Sequence, residues 1–235
     1  MSQPAGTVQR VLKSEGIGGL IRRSLRRVLR KPELVKLYVL SLQSEDVMRR
    51  PAYPPPYDGL EIGMLSDRDA NDIEALAGFG FYGRSPADIL QYLARGEQCY
   101  VLKHHGRVVA CIWRAVGSYY DHYLKRRLVL DDNEEYLLGA YVLPELRGKD
   151  MISFLFRATF LERLKGCPDL RTTVLVRTNN RSSLRTVDKS GFHIVGRMGF
   201  LDVFGIRFQY LFGRDALPKT RRRTFLQLAR GAEAG

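Results

Sequence analysis

Apolar residues recur at Ile152, Leu155, Phe156, Phe160, Leu161 and Leu164, a helical spacing that predicts a helix from about Lys149 to Leu164. Ahead of it an apolar stretch ends at Val142-Leu143. Pro144 has no backbone N–H to continue a ladder, so a strand stops there. The same periodicities predict further strands over Leu60–Leu65, Cys99–Lys103, Val108–Val116, Leu170–Val176, His193–Val203 and Ile206–Phe212. Two helices follow the first of these. One is capped by Ser66 or Asp67 and runs to about Ala77. The other is capped by Ser85, with Pro86 in its first turn, Ile89, Leu90 and Leu93 inward, and an end near Gly96. A short helix over Ser182–Lys189 closes on Gly191 as a left-handed cap. The order strand, two helices, hairpin, strand, helix, strand, helix, hairpin predicts an α/β chain: a seven-stranded mixed sheet with helices on both faces.

The ends of the chain read differently. In Ile17–Arg30, Ile17, Leu20, Ile21, Leu25, Val28 and Leu29 gather on one side of a helix, with Arg22, Arg23, Arg26, Arg27 and Arg30 opposite. Pro32 restarts the chain, and Glu33–Leu42 continues with Leu34, Val35, Leu37, Val39, Leu40 and Leu42. Residues 1–50 are therefore expected to be a basic amphipathic helical extension. PAYPPPYDG, Pro51–Gly59, is a stiff connector and the domain boundary, residues 60–213 are the folded domain, and 214–235 are a basic tail. The apolar face of the extension suits packing on the domain or a second subunit. It also suits an anionic membrane surface, where apolar burial and charge attraction add.

Charge supports this division. The net +13 is uneven: residues 1–50 hold eleven basic and four acidic side chains and residues 214–235 six and two, which leaves the middle nearly neutral. A basic chain raises a nucleic-acid reading, but the charge lies in the extensions, so it describes their partners better than the core's chemistry. No apolar run is long enough to span a bilayer. The first residues lack the basic start, apolar run and cleavage site of a secretory signal. Cys99, Cys111 and Cys167 are isolated and odd in number, which fits a reducing compartment and argues against a disulfide scaffold or a cysteine-rich zinc site.

The candidate chemistry sits after Pro144. Strand, tight glycine-containing turn and helix present unpaired first-turn amides and a positive dipole end to a phosphate, and Arg147 and Lys149 add charge there. Neither a GxxxxGK[ST] loop nor a GxGxxG after a strand is present. His104 and His105 read as solvated turn residues, since adjacent histidines of extended chain point apart and no nearby cysteine completes a metal set. The acidic run 131–135 reads by default as a solvated loop. Tyr119–Arg127 is a polar-aromatic insertion.

Two stretches resemble the GNAT acyltransferase superfamily, in which an amine attacks the thioester of an acyl-coenzyme A. The resemblance spans roughly Leu60–Phe212 and implies a mixed, mostly antiparallel central sheet flanked by helices. YVLPELRGKDM is similar to V-x-P-x-x-R-G-x-G-x-G: Val142, Pro144, Arg147, Gly148 and Lys149 match, while Asp150 and Ile152 stand where glycines are usual. NRSSLRTVDKSGF is similar to N-x-x-S/A-x-x-x-Y-x-K-x-G-F through Asn180, Ser183, Lys189, Gly191 and Phe192, with Val187 where a tyrosine commonly protonates the departing thiolate. The resemblance implies that Arg147, Gly148, Lys149, Asp150, Met151 and Ile152 surround a coenzyme A pyrophosphate. It further implies that Asn180, Ser183 and Lys189 contribute from the second motif, and that amides near Ala140–Val142 hold the pantetheine arm and polarise the carbonyl.

Chemistry needs a neutral amine, which a carboxylate deprotonates directly or through water. Glu134 or Glu135, just before the central strand, is the candidate base, and Tyr141, Tyr210 or water a substitute acid. The leading expectation is transfer of an acyl group, first of all acetyl, from acyl-coenzyme A to a primary amine, without a metal. A non-catalytic coenzyme A-binding or interaction domain is the alternative, favoured by Asp150, Ile152 and Val187, and a nucleic-acid-binding protein ranks third. Expected partners are a small or conjugated amine, an anionic membrane surface through residues 17–42, and a second copy of the chain. The expected place is the cytoplasm, with the inner face of its membrane as the peripheral variant.

Overall fold

Burial alternates along the first described element. Val35, Leu37 and Val39 are buried while Leu34 and Lys36 are exposed, and the segment is a strand, β1 (Glu33–Gln43). The helical continuation expected over 33–42 is thus corrected. Its leucines fit either period, but residues 37–43 pair along their whole length with a strand late in the chain, and from Val39 to Leu42 both faces are covered. The computed structural model describes residues 33–48, 54–80, 85–121, 124–203 and 206–212. The amphipathic stretch Ile17–Arg30 and the tail 214–235 lie outside the described residues.

After β1 come α1 (Ser44–Met48), β2 (Leu60–Met64), α2 (Ala70–Phe79), α3 (Pro86–Ala94), β3 (Gln98–His104) and β4 (Arg107–Val116). A ribbon, β5 (Ser118–Asp121) and β6 (Arg126–Val129), precedes β7 (Glu134–Val142) and a 3₁₀ turn, Pro144–Leu146. The chain continues through α4 (Met151–Leu164), β8 (Arg171–Arg177), α5 (Arg181–Ser190), β9 (His193–Val203) and β10 (Ile206–Phe212). Two compact units divide these residues. One holds Leu37–Arg197, and the other takes in residues 33–36 and Met198–Leu211.

In the larger unit the strands neighbour one another in the order β1-β8-β7-β4-β3-β2. All pair antiparallel except β7 with β8. One sheet face is covered by α4 and α5, whose Leu155, Phe156, Phe160 and Val187 join Leu40, Leu102, Ile112 and Val174 in one cluster. The other face is covered by α2 and α3, whose Ile73, Leu76 and Ile89 meet Val101, Cys111 and Trp113. Trp113 is only 1% exposed, with the ring of Tyr92 edge-on at 5.9 Å. Side chains this large carry most of a core's apolar burial, about 2–3 kcal/mol each. The helices themselves form for local reasons. Ser85 and Asp88 make a reciprocal capping box at α3, and Gly191 closes α5 at φ 106°, a left-handed conformation that suits a residue without Cβ.

Several details differ from expectation. Helix α2 starts at Ala70, because the Asp69 carboxylate accepts from Ser66 N at 2.8 Å and from Ser66 Oγ at 3.0 Å, and so turns the chain first. Leu90 is 40% exposed and Ile89 alone takes the deeply buried place. The insertion Tyr119–Arg127 contributes to the β5–β6 ribbon, where buried Asp121 accepts from Tyr136 Oη at 2.9 Å and from Leu124 N at 2.8 Å. In the smaller unit β9 neighbours β10. A Cβ at Gly199 would collide with the Val35 carbonyl oxygen and the Tyr210 ring, so only glycine fits that approach. Among the described residues no helix is long and apolar enough to cross a membrane.

Candidate functional site: a wedge between two parallel strands

β7 and β8 start as partners and then part. Their pairing runs from Glu134↔Arg171 to Leu137↔Val174 and stops, although both strands continue. Beyond that point β8 stays paired with β1, through Leu175↔Val39 to Arg177↔Leu37. β7 stays with β4, through Gly139↔Trp113 to Val142↔Ala110. The divergence begins at a bulge: Leu138 is the extra residue between Leu137, opposite Arg114, and Gly139, opposite Trp113.

The bulge leaves one edge of β7 lining an open wedge, and the register tells which groups point into it. Leu143 N donates to Val109 O at 3.0 Å, so its N–H faces β4. N–H groups of alternate residues in a strand share a side, which puts that of Tyr141 with Leu143. Those of Ala140 and Val142, with their carbonyls, then turn away from β4 and into the wedge. An extended amide-bearing chain laid there has backbone partners along its length.

The same strand leads to the turn that the sequence offers as a phosphate site. Arg147 is exposed and extended, Gly148 has φ 77° and Asp150 φ 57°. Asp150 thus holds the left-handed backbone that favours the glycine of the family pattern, and aspartate is among the few side chains that tolerate it. The first bond of the α4 ladder is Phe154 N to Asp150 O, at 2.9 Å, so the amides of Met151, Ile152 and Ser153 precede the ladder. The Met151 side chain is buried at 2% and Ile152 packs partly buried on the same cluster, so only their backbone is offered. Lys149 is exposed, its ammonium 5.4 Å from the ring centre of Tyr57.

The Asp150 carboxylate turns to Lys189, whose Nζ lies 2.7 and 3.0 Å from its two oxygens. Two residues the sequence placed in separate motifs therefore meet beside the start of α4. Asn180 and Ser183 also meet, as a helix cap: Asn180 Oδ1 accepts from Ser183 N at 3.1 Å. Val187 is buried among the core residues and brings no hydroxyl.

Both candidate bases are engaged. Glu135 is 2% exposed; it accepts from Arg114 Nη1 at 2.9 Å and from Thr172 Oγ1 at 2.6 Å, with Arg163 Nε at 3.0 Å. Burial holds Arg114 below the usual guanidinium range, with the Glu135 charge opposing that shift. Glu134 is ion-paired with Arg171 and also accepts from Asp131 N. Both therefore begin β7 as buried members of ion pairs, whereas the run 131–135 reads from sequence as a solvated loop. Tyr141 lies on the opposite sheet face from Glu135, stacked on Phe79 with ring centres 4.7 Å apart. His105 is exposed at a turn with φ 50°, and among the described residues no cluster of three or more metal-ligating side chains exists.

The bulge and the wedge escape sequence reading. Gly139 inside an apolar strand was the one available signal, since a glycine in a strand interior often marks a bulge.

No family model matches the sequence, and no curated protein matches it. Solved structures match its shape. One is a tandem GNAT protein from the clavulanic acid biosynthesis pathway, 14% identical, covering 78% of this chain and 55% of its own, with a TM-score of 0.52. Another is a GCN5-related N-acetyltransferase from Sphaerobacter thermophilus, 14% identical, covering 86% of this chain and 59% of its own, with a TM-score of 0.50. The chain thus spans little more than half the length of these two structures. At such identity the likeness is one of fold.

Proposed function

The chain has the GNAT fold, and from that premise we propose that it transfers an acyl group, acetyl in the first instance, from acyl-coenzyme A to a primary amine. The observation that carries this reading is the wedge, with the amides and carbonyls of Ala140 and Val142 turned into it. The pantetheine arm pairs with that edge like an added strand, and a β7 amide donates to the thioester carbonyl as negative charge develops on its oxygen. The pyrophosphate lies at the turn of Arg147–Ile152, against the first amides of α4 and the charge of Arg147.

The amine attacks as the neutral base. Its nitrogen bonds to the carbonyl carbon, the C–S bond breaks, and the amine's proton leaves through water while the thiolate departs. Glu134 and Glu135 are occupied by arginines, so alignment of amine and thioester supplies the main acceleration. A second reading, a domain that binds the donor without turning it over, is favoured by Val187 and by the Asp150 carboxylate beside the phosphate turn.

Calorimetry with acetyl-coenzyme A, followed by thiol release in the presence of a panel of amines, tests the proposal. Micromolar binding is expected, weakened about tenfold or more by Arg147→Ala, because a charge-assisted bond is worth roughly 1.5–3 kcal/mol. Amine-dependent release of free thiol is expected with it. Binding without release under every amine supports the second reading, and absence of binding sinks both.

A further inference from the structure

Where Pro54, Pro55, Pro56 and Tyr57 pass Lys149 and Asp150, they line a cleft of about 450 Å³, within the roughly 300–1,000 Å³ of small-molecule sites. Its walls are chemically sorted. Three proline rings and a phenol ring give flat apolar surfaces. Tyr57 is seated, since it packs partly buried against the main core and its ring centre lies 5.9 Å from that of His104. Lys149 brings a cation within 5.4 Å of the same ring centre. Asp150 brings carboxylate oxygens, fixed in place by the Lys189 ammonium at 2.7 and 3.0 Å. Flat faces, a rim acceptor and an adjacent cation fit a planar heterocycle that has an N–H donor on its edge and a phosphate nearby.

We propose that this cleft takes the adenine end of the acyl donor; the inference rests on the acyl-coenzyme A reading above and deepens it. Adenine stacks on Tyr57 and the prolines, its exocyclic amine donates to Asp150, and Lys149 faces the phosphates. A 6-keto purine would set its oxygen against the Asp150 carboxylate, so the cleft discriminates against guanine. Pro54–Tyr57 lie before the Leu60–Phe212 stretch that carries the family resemblance, and by this inference they form a wall of the donor site rather than a spacer. The carboxylate at position 150 gains a reason as well: it reads the base while Lys189 balances its charge beside the phosphates.

The test is calorimetry on the full chain with ADP, GDP, acetyl-coenzyme A and acetyl-phosphopantetheine, which lacks the nucleoside. ADP is expected to bind more tightly than GDP. Tyr57→Ala is expected to weaken ADP and acetyl-coenzyme A about tenfold, the scale of one base–aromatic stack, and to leave acetyl-phosphopantetheine unchanged. Tyr57→Phe keeps the ring and ADP binding. Asp150→Asn, at a half-exposed position, erases the preference for ADP over GDP and carries the test if Tyr57→Ala does not fold. A folded Tyr57→Ala that binds ADP and acetyl-coenzyme A like the parent overturns the cleft while leaving acyl transfer standing. Tyr57-dependent ADP binding without any acetyl-phosphopantetheine binding or thiol release upholds the cleft and overturns acyl transfer instead.

Discussion

Replacing Glu135 separates a catalytic from an architectural carboxylate. Its side chain is 2% exposed and that of Arg114 4%, so solvent screens the pair little. Gln98 Oε1 accepts from Arg114 Nε and from Arg163 Nη1, both at 3.2 Å, and the Arg114 guanidinium lies 4.1 Å from the ring centre of Tyr100. Glu135→Ala strands a buried guanidinium without its counter-charge, a loss of about 3–5 kcal/mol. At roughly 2–4 °C per kcal/mol for a chain of this size, the thermal midpoint falls by about 6–20 °C. Glu135→Gln keeps the shape and one acceptor oxygen, which can face Arg114, while its amide nitrogen replaces the oxygen that accepted from Thr172; with the charge also removed, a loss of roughly 1.5–3 kcal/mol is expected. The assay pairs urea unfolding with kcat for thiol release, measured well below the unfolding temperature. The expected outcome is a large fall in stability with kcat per folded molecule nearly unchanged. A Glu135→Gln variant with the parent's midpoint and a kcat lowered about 100-fold or more would refute the structural assignment, since that is the signature of a lost general base.

Other outcomes follow from single features. Ser85→Ala removes one half of the capping box of α3 and is expected to lower stability by about 1 kcal/mol, read as a urea midpoint shift at constant slope. Cys99 and Cys111 are 0% and 1% exposed, and burial, with Cys111 beside it, pushes the Cys99 thiol well up. Both are expected to resist iodoacetamide at mildly alkaline pH until the chain unfolds, as mass spectrometry would record. Cys167 is partly exposed, but burial and the Asp169 carboxylate raise its thiol too, so less thiolate is present at a given pH. Its alkylation is expected to be slower than that of a free thiol and to accelerate as pH rises; a rate equal to that of free cysteine would contradict this.

How far the chain could be read depends on where the deciding partner lies. Helix α4 and the cap of α3 were legible because the spacing of Ile152–Leu164 and Ser85 followed by Pro86 decide them locally. β1 was not, because its leucines fit both periods and the choice is made by β8, distant in sequence. Nor was the acidic run: Asp131–Glu135 resembles a solvated loop until Arg114, Arg163 and Arg171 arrive from three other elements and bury its last two residues. Asp150 shows the mixed case. The sequence marks it as a departure from glycine, yet its backbone takes the glycine conformation, and only the fold turns its carboxylate toward Lys189. The wedge was hidden for a different reason. Ala140 and Val142 act through their backbone, and side-chain identity says nothing of which way an amide points.

The amides of Ala140 and Val142 therefore offer the most direct measurement: hydrogen exchange across β7, resolved by residue, with and without acetyl-coenzyme A. If the donor lies in the wedge, these two amides gain protection while those of Tyr141 and Leu143, already facing β4, change little. Acetyl-coenzyme A that binds and leaves Ala140 and Val142 exchanging as before would place the donor elsewhere and remove the basis of the proposed reaction.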